Sequence, residues 1–243
     1  RDGDTTQYRM HPDIRSFPSS YFYQGKLVDS RAVKTRSTPP LRLAPYFFVH
    51  TAGTATRSRS GSFNNETEIA VVRDLLGRLT EPCSVAVLSP YAAQVSKLAP
   101  LRTSEVTVST IDAFQGQEAD VVLVSLVRGG VRPLQQQQQL NNLVHTRTHT
   151  HTHNTHTEYT VPPAFHSRQE GGHSIGFVAD LRRLNVAITR AKHVLLIIGN
   201  ATALRCNPAW NALLDDARKR GCFTAATVHA DGRTAFSRDI TTS

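Results

Sequence analysis

The sequence predicts an α/β domain, a parallel sheet flanked by helices. Three observations lead there. Segments with helical spacing alternate along the chain with short apolar runs, the order that βαβ units produce. The runs at 85–89, 121–127 and 194–199 are apolar without in-and-out alternation, as strands are when helices cover both faces of their sheet. Residues that start helices stand where helices should open, at Asn65, Asp180 and Asn207.

Taken in order, Gln7-Tyr-Arg-Met-His-Pro12 leads into the stretch 13–26, where Pro12 suits the first turn of a short helix that Pro18 limits. The stretch from Arg31 to Pro45 is polar and carries prolines, which predicts a loop; Tyr46 to His50 is a short strand. A Thr/Ser/Gly/Arg loop follows. Asn65-Glu-Thr-Glu68 has capping-box spacing and opens a helix with Ile69, Val72, Leu75, Leu76 and Leu79 on its buried stripe. Val85 to Ser89 is a buried strand; Ser89 then caps, and Pro90 starts, a helix from Tyr91 to about Leu98. Strands at 106–110 and 121–127 flank the segment 111–118. Asp180 caps a helix running to about Lys192. Leu181, Leu184, Ile188 and Ala191 fall on its buried face, and Arg183 and Arg190, seven residues apart, stack on the opposite one. Val194 to Gly199 is the next strand. Asn207 and Pro208 start a helix through Arg218, Thr224 to His229 is an edge strand, and the last dozen polar residues fray.

The balance of charge is +9 over 243 residues, which suits a polyanionic partner. Cys83, Cys206 and Cys222 are odd in number, widely spaced and form no CxxC pair, so neither a disulfide framework nor a cysteine zinc site is indicated. A reducing, intracellular setting fits, with the nucleus favoured over the cytoplasm. No apolar run approaches the ~20 residues of a membrane span, and no secretory signal opens the chain. The first residue is not Met and leads straight into a dense motif, so the expectation is a piece of something longer.

The stretch 130–175 interrupts this pattern. It holds five consecutive glutamines, a Thr-His alternation and seven of the chain's eleven histidines. Alternate histidines on a strand would share a face and could bind a metal. Against that, nothing in the segment can bury a core, which reads as a low-complexity disordered insertion. Without it, 243 − 46 = 197 residues remain, the size of one domain. The expected organisation is a domain made of 1–129 and 176–232, the insertion, and a flexible tail at 233–243.

Four motifs carry the chemistry. Gln7-Tyr-Arg-Met-His-Pro12, Ser89-Pro-Tyr91, Ser109-Thr-Ile-Asp-Ala-Phe-Gln-Gly-Gln-Glu118 and Leu184-Asn-Val-Ala-Ile-Thr-Arg-Ala-Lys192 resemble, in this order, the second-half motifs of superfamily 1 helicases of the up-frameshift type. The wording around Phe17-Pro-Ser-Ser-Tyr-Phe-Tyr-Gln-Gly-Lys-Leu27 is similar to the senataxin branch. The resemblance implies the second RecA-like domain of an ATP-driven nucleic-acid motor, with ATP in the cleft it shares with a first RecA-like domain. It implies that Tyr8 stacks on adenine, Arg9 reaches the γ-phosphate and Arg190 acts as an arginine finger, roles that suit a permanently charged guanidinium fork. It further implies that Glu118 accepts hydrogen bonds from the ribose hydroxyls, and that Gln115 and Gly116 shape the turn near the phosphates. A single strand of RNA or DNA would cross the sheet edge on the same side, touching Thr110 first, then Pro90 and Tyr91.

Each residue has a plainer reading. Tyr8 could pack in the core, Arg9 could be a surface charge, and Glu118 could pair with a neighbouring base. Asp112 has capping-box spacing to Gln115 and so suits a helix cap. His11 packs beside Pro12, and Tyr91 either stacks on a base or braces its own helix. No GxxxxGK[ST] phosphate loop occurs, and no strand ends in the Asp-Glu pair that would hold Mg²⁺. Both belong to the first domain, where the Mg²⁺ ligands are expected; this chain alone should be inactive. The competing reading is a non-catalytic nucleic-acid-binding or scaffold fragment of helicase origin.

Overall fold

A computed structural model describes residues 5–36, 43–79, 81–128 and 180–241, and every structural statement below concerns these residues. The interruption at 130–175 lies outside them. In chain order the elements are β1 (Thr6–Gln7), α1 (Pro12–Phe22), β2 (Val28–Asp29), α2 (Arg31–Lys34), β3 (Tyr46–Thr51) and the hairpin of β4 (Thr56–Arg57) and β5 (Phe63–Asn64). Then come α3 (Glu66–Gly77), β6 (Val85–Ser89), α4 (Ala92–Leu98), β7 (Val106–Thr110), β8 (Ala119–Ser125) and α5 (Leu181–Ile188). The chain continues through β9 (Ala191–Gly199), α6 (Ala201–Leu204), α7 (Pro208–Lys219), β10 (Phe223–Val228) and β11 (Thr234–Phe236).

One sheet takes the order β11-β10-β3-β9-β8-β6-β7, parallel throughout except for β11, which runs antiparallel to β10. Successive side chains of a strand go to opposite faces, so the unbroken apolar runs supply two cores at once. Phe48, Val122, Val124, Leu195 and Ile197 enter one, with Ile14 and Phe17 of α1, Leu184 and Ile188 of α5, and Trp210 and Leu213 of α7. Phe47, Val49, Val121, Leu123, Leu196 and Ile198 enter the other, with Ile69, Val72 and Leu75 of α3 and Leu98 of α4. This is the expected α/β class, a mainly parallel sheet covered by helices on both faces. No helix among the described residues is long and apolar enough to cross a membrane.

Several local expectations are corrected. The first helix continues through Pro18 to Phe22, because burial of Ile14, Phe17 and Pro18 itself outweighs the one missing bond to the Ile14 carbonyl. The segment read as a loop from Arg31 contains α2, capped by Ser30 Oγ accepting from Val33 N–H. The loop after β3 contains the hairpin β4–β5. Asn65 does cap α3, its Oδ1 accepting from the Thr67 and Glu68 amides, but Glu68 does not complete a capping box. Its carboxylate turns inward, and the Asn65 N–H goes instead to Gln94 Oε1 at 2.9 Å. Ser89 ends β6 and accepts from Tyr91 N–H, so Tyr91 is the cap residue and the helix begins at Ala92.

Asp180 caps α5 as expected, yet the helix stops at Ile188 and Leu181 is exposed. Thr189 Oγ1 closes the last turn on the Asn185 carbonyl at 2.7 Å, and Ala191 already pairs with Ala119 in the sheet. Arg183 and Arg190 therefore do not share a helix face. β10 is not the edge strand; β11 lies outside it. The residues expected to fray are packed: Ala235 pairs with Thr227, Leu43 bridges to Thr241, and Ile240 is fully buried.

Candidate functional site

Tyr8 and Arg9 are presented by a turn that the Gln7 side chain holds. Gln7 Oε1 accepts from the Arg9 and Met10 amides at 2.9 and 2.7 Å, and its Nε2 donates to Met10 O and to Asp29 Oδ1. With its own amide groups satisfied inward, the turn pushes the Tyr8 ring outward, 63% exposed, so it does not pack in the core. Arg36 grips the turn from behind, donating to the Arg9 carbonyl at 2.6 Å and to the Tyr8 carbonyl at 2.7 Å.

Arg9 reaches Glu118 at 2.6 Å and the Thr189 carbonyl at 3.1 Å. Lys192 closes on the other Glu118 oxygen at 3.1 Å. Arg190 lies at the end of α5, donating to the Val186 carbonyl at 3.1 Å and the Gln117 carbonyl at 3.3 Å. Arg9, Arg190 and Lys192 thus surround one carboxylate, at the end of the sheet where β8 and β9 begin. Arg9, then Lys192, holds the Glu118 carboxyl below its ordinary range. Burial and the nearby Arg9 lower the Arg190 guanidinium from its ordinary value. The Arg9–Glu118 pair is about a third to two-fifths exposed (32% and 42%), so an incoming anion can exchange for Glu118 at little cost. Gly116, at φ +86°, makes the turn in front of the cluster, and Gln115 beside it is exposed.

Thr110, Pro90 and Tyr91 line a separate open groove of about 980 Å³, together with Phe63, Arg128 and Arg183. It lies at the other end of the strands. Thr110 is in register with Ser89, and Leu88 with Val124, so Thr110 is level with the last residue of β8, whereas Glu118 precedes its first. At ~3.3 Å per residue, those two ends are roughly 20 Å apart. The residues expected to touch the strand and those expected to touch phosphate, read from sequence as lying on one side, therefore lie at opposite ends of the strands. The segment 111–118 crosses between the ends, anchored by buried Ile111 and Phe114. The short helix α5 runs alongside, tied at one end by Arg183 to Asp112 (2.9 Å) and at the other by Arg190 to Gln117.

Two plainer readings also change. Asp112 caps no helix, since it pairs with Arg183; Thr110 Oγ1 accepts from Ala113 N–H instead. The Tyr91 ring is 4% exposed and sits edge-on to Phe63 at 5.7 Å, so it braces the groove wall rather than offering a face to a base. His11 Nδ1 accepts from Asp13 N–H at the start of α1. Sequence reasoning missed Lys192, Arg36 and Arg128 as parts of these sites. Had the strand been started at Ala191, alternation would have put Arg190 and Lys192 on one face; Arg36 carries no such signal.

A family model described as an AAA domain matches residues 5–202. Helicase SEN1 of Saccharomyces cerevisiae is 29% identical over 242 residues, 90% of this chain and 9% of that protein. ATP-dependent helicase NAM7 of the same yeast is 30% identical over 243 residues, 91% of this chain and 21% of that protein. Human senataxin is 32% identical over 232 residues, 89% of this chain and 7% of that protein. The chain therefore spans about a fifth or less of the length of these relatives.

Proposed function

The chain belongs to the AAA domain family, among the superfamily 1 helicases of the up-frameshift type, and from that premise we propose that it is the second RecA-like motor domain of an ATP-dependent RNA or DNA helicase of the senataxin branch. The observation that carries this reading is the meeting of Tyr8, Arg9, Glu118 and Arg190, from three distant stretches of sequence, at one end of the sheet. An exposed aromatic face beside three cations and one carboxylate is matched to a purine nucleotide with a polyphosphate tail.

In this reading Tyr8 stacks on adenine. Arg9 leaves Glu118 for the γ-phosphate, and a Glu118 oxygen so released accepts from the ribose hydroxyls. Gln115 and Gly116 form the turn beside the phosphates. Arg190 acts as the finger: half-buried and fixed by two carbonyls, its guanidinium offers charge to the transferring phosphoryl group with little reorganisation. The only carboxylate in the cluster is engaged by Arg9 and Lys192, which suits no divalent cation, so the Mg²⁺ that neutralises phosphate charge is assigned to ligands of the first RecA-like domain. A single strand lies in the groove at Thr110 and Pro90, with Tyr91 behind its wall. α5 and the segment 111–118 join that groove to the nucleotide end, so phosphate contacts and strand contacts move together. The domain consists of 1–129 and of the stretch from 176 on, β11 and the packed residues that follow it included, interrupted by a low-complexity insertion, and works inside the cell, in the nucleus.

The test is ATP turnover by the complete protein. Arg190→Ala should leave nucleotide binding nearly intact while cutting turnover about 10³- to 10⁵-fold, whereas Tyr8→Ala should weaken binding. The isolated chain should show essentially no turnover, since half a cleft cannot position the reaction. Normal turnover by the Arg190 variant would refute the finger assignment.

A further inference from the structure

Where β8 ends, the backbone takes an uncommon path. Arg128 N–H donates to the Leu126 carbonyl at 2.8 Å, and Val127 between them has φ +68°. An i-to-i+2 bond around a central residue of positive φ is the strained form of γ-turn, and a β-branched residue is poorly suited to it. Such a conformation persists only where its surroundings over-determine it.

Those surroundings are four polar side chains withdrawn from water: Asn65, Glu68, Gln94 and Ser125 are all 0% exposed. Glu68 Oε2 accepts from Val127 N–H at 2.9 Å and from Ser125 Oγ at 2.6 Å. Asn65 Nδ2 donates to the Val127 carbonyl at 3.2 Å. Gln94 ties the set together, donating to Ser125 Oγ at 2.8 Å and accepting from Asn65 N–H at 2.9 Å. Both backbone groups of the strained residue are therefore held by side chains from the start of α3, and no ligand can reach those side chains.

What the turn aims is the next residue. The Arg128 guanidinium carbon lies 4.4 Å over the face of Phe63, and both residues line the groove with Thr110. A guanidinium stacked on an aromatic ring keeps its fork of donors at its edge, the arrangement that grips a phosphodiester. We propose that Arg128 is a strand-binding residue of the groove, and that Asn65 and Glu68 are positioning residues that aim it by clamping Val127. The proposal rests on the reading of the groove as a single-strand track.

The experiment measures binding of a fluorescent 20-nucleotide oligouridylate to the full chain by anisotropy, over a range of salt. Arg128→Ala should weaken binding about tenfold and flatten the salt dependence by about one counterion. Glu68→Ala should weaken it similarly, with no further loss in the double variant with Arg128→Ala, while Glu68→Gln, which keeps an acceptor for Val127 N–H, retains affinity. Should Glu68→Ala not fold, Asn65→Ser replaces it: serine still caps α3 but is too short to reach the Val127 carbonyl. Additive losses would overturn the positioning role. Thr110→Ala separates the two readings: if it weakens binding and Arg128→Ala does not, this inference fails alone. If neither does, the groove itself is misassigned.

Discussion

Glu68→Gln should change how stability depends on pH. Glu68 is fully buried, and burial pushes its carboxyl up to about 7 from an ordinary 4.5, against the opposing bonds from Ser125 and Val127. The groups facing it from α3 and β8, namely Asn65, Ser125 and the Leu126 and Val127 amides, carry no charge. Between those two values the native chain keeps a proton that the unfolded chain has released. Stability therefore falls as pH rises from about 4.5 to about 7, then levels off. The shift of 7 − 4.5 = 2.5 units corresponds to about 3 kcal/mol at ~1.4 kcal/mol per unit. Glutamine resembles the protonated acid and cannot ionise, so the variant lacks this decline. The stability difference, variant minus parent, should grow by about 3 kcal/mol between acid and neutral pH, or roughly 6–12 °C in Tm for a domain of this size. Thermal unfolding followed by circular dichroism at pH 5, 6, 7 and 8 measures it, and the histidines with lowered pKa, His50 and His193, cancel in the difference. Melting curves that stay parallel across that range would refute the argument.

Two further outcomes follow from the same geometry. Arg36→Ala removes both bonds that hold the Tyr8 and Arg9 carbonyls, so in the complete protein the KM for ATP should rise about tenfold with kcat less affected; an unchanged KM would show that the turn holds without it. Replacing 130–175, which lie outside the described residues, with a short Gly/Ser linker should leave thermal unfolding cooperative, because lengthening a surface loop costs only ~0.6 kcal/mol per doubling. Loss of cooperative unfolding would make that segment structural.

Much of the local structure was legible in the residues themselves. The strands at Val85–Ser89 and Val106–Thr110, and the caps at Asn65, Asp180 and Asn207, fall where pattern and capping rules put them. These features depend on partners within four residues or on plain apolarity, and both are written in a short window. Motif order was likewise readable, and with it the expectation that Tyr8, Arg9 and Arg190 serve one site. The capping box at Asn65 failed because a stronger claim on Glu68 came from Ser125 and Val127, which are 57 and 59 residues away. The end of α5 failed because strand pairing with Ala119 captured Ala191 before another helical turn could form.

Which groups meet was decided by the order of the strands. Arg9 finds Glu118 across 109 residues and Thr189 across 180, and Arg36 grips the Tyr8 carbonyl across 28, none at a spacing that local periodicity can register. The separation of groove from cationic cluster has the same origin. Thr110 and Glu118 are near neighbours in sequence, but β6 lies between β7 and β8 in a parallel arrangement. The chain must therefore traverse the sheet from the end of one strand to the beginning of the next. By itself the sequence determined the residue types, the strands and the caps; the parallel topology decided that residues eight positions apart lie at opposite ends of the sheet.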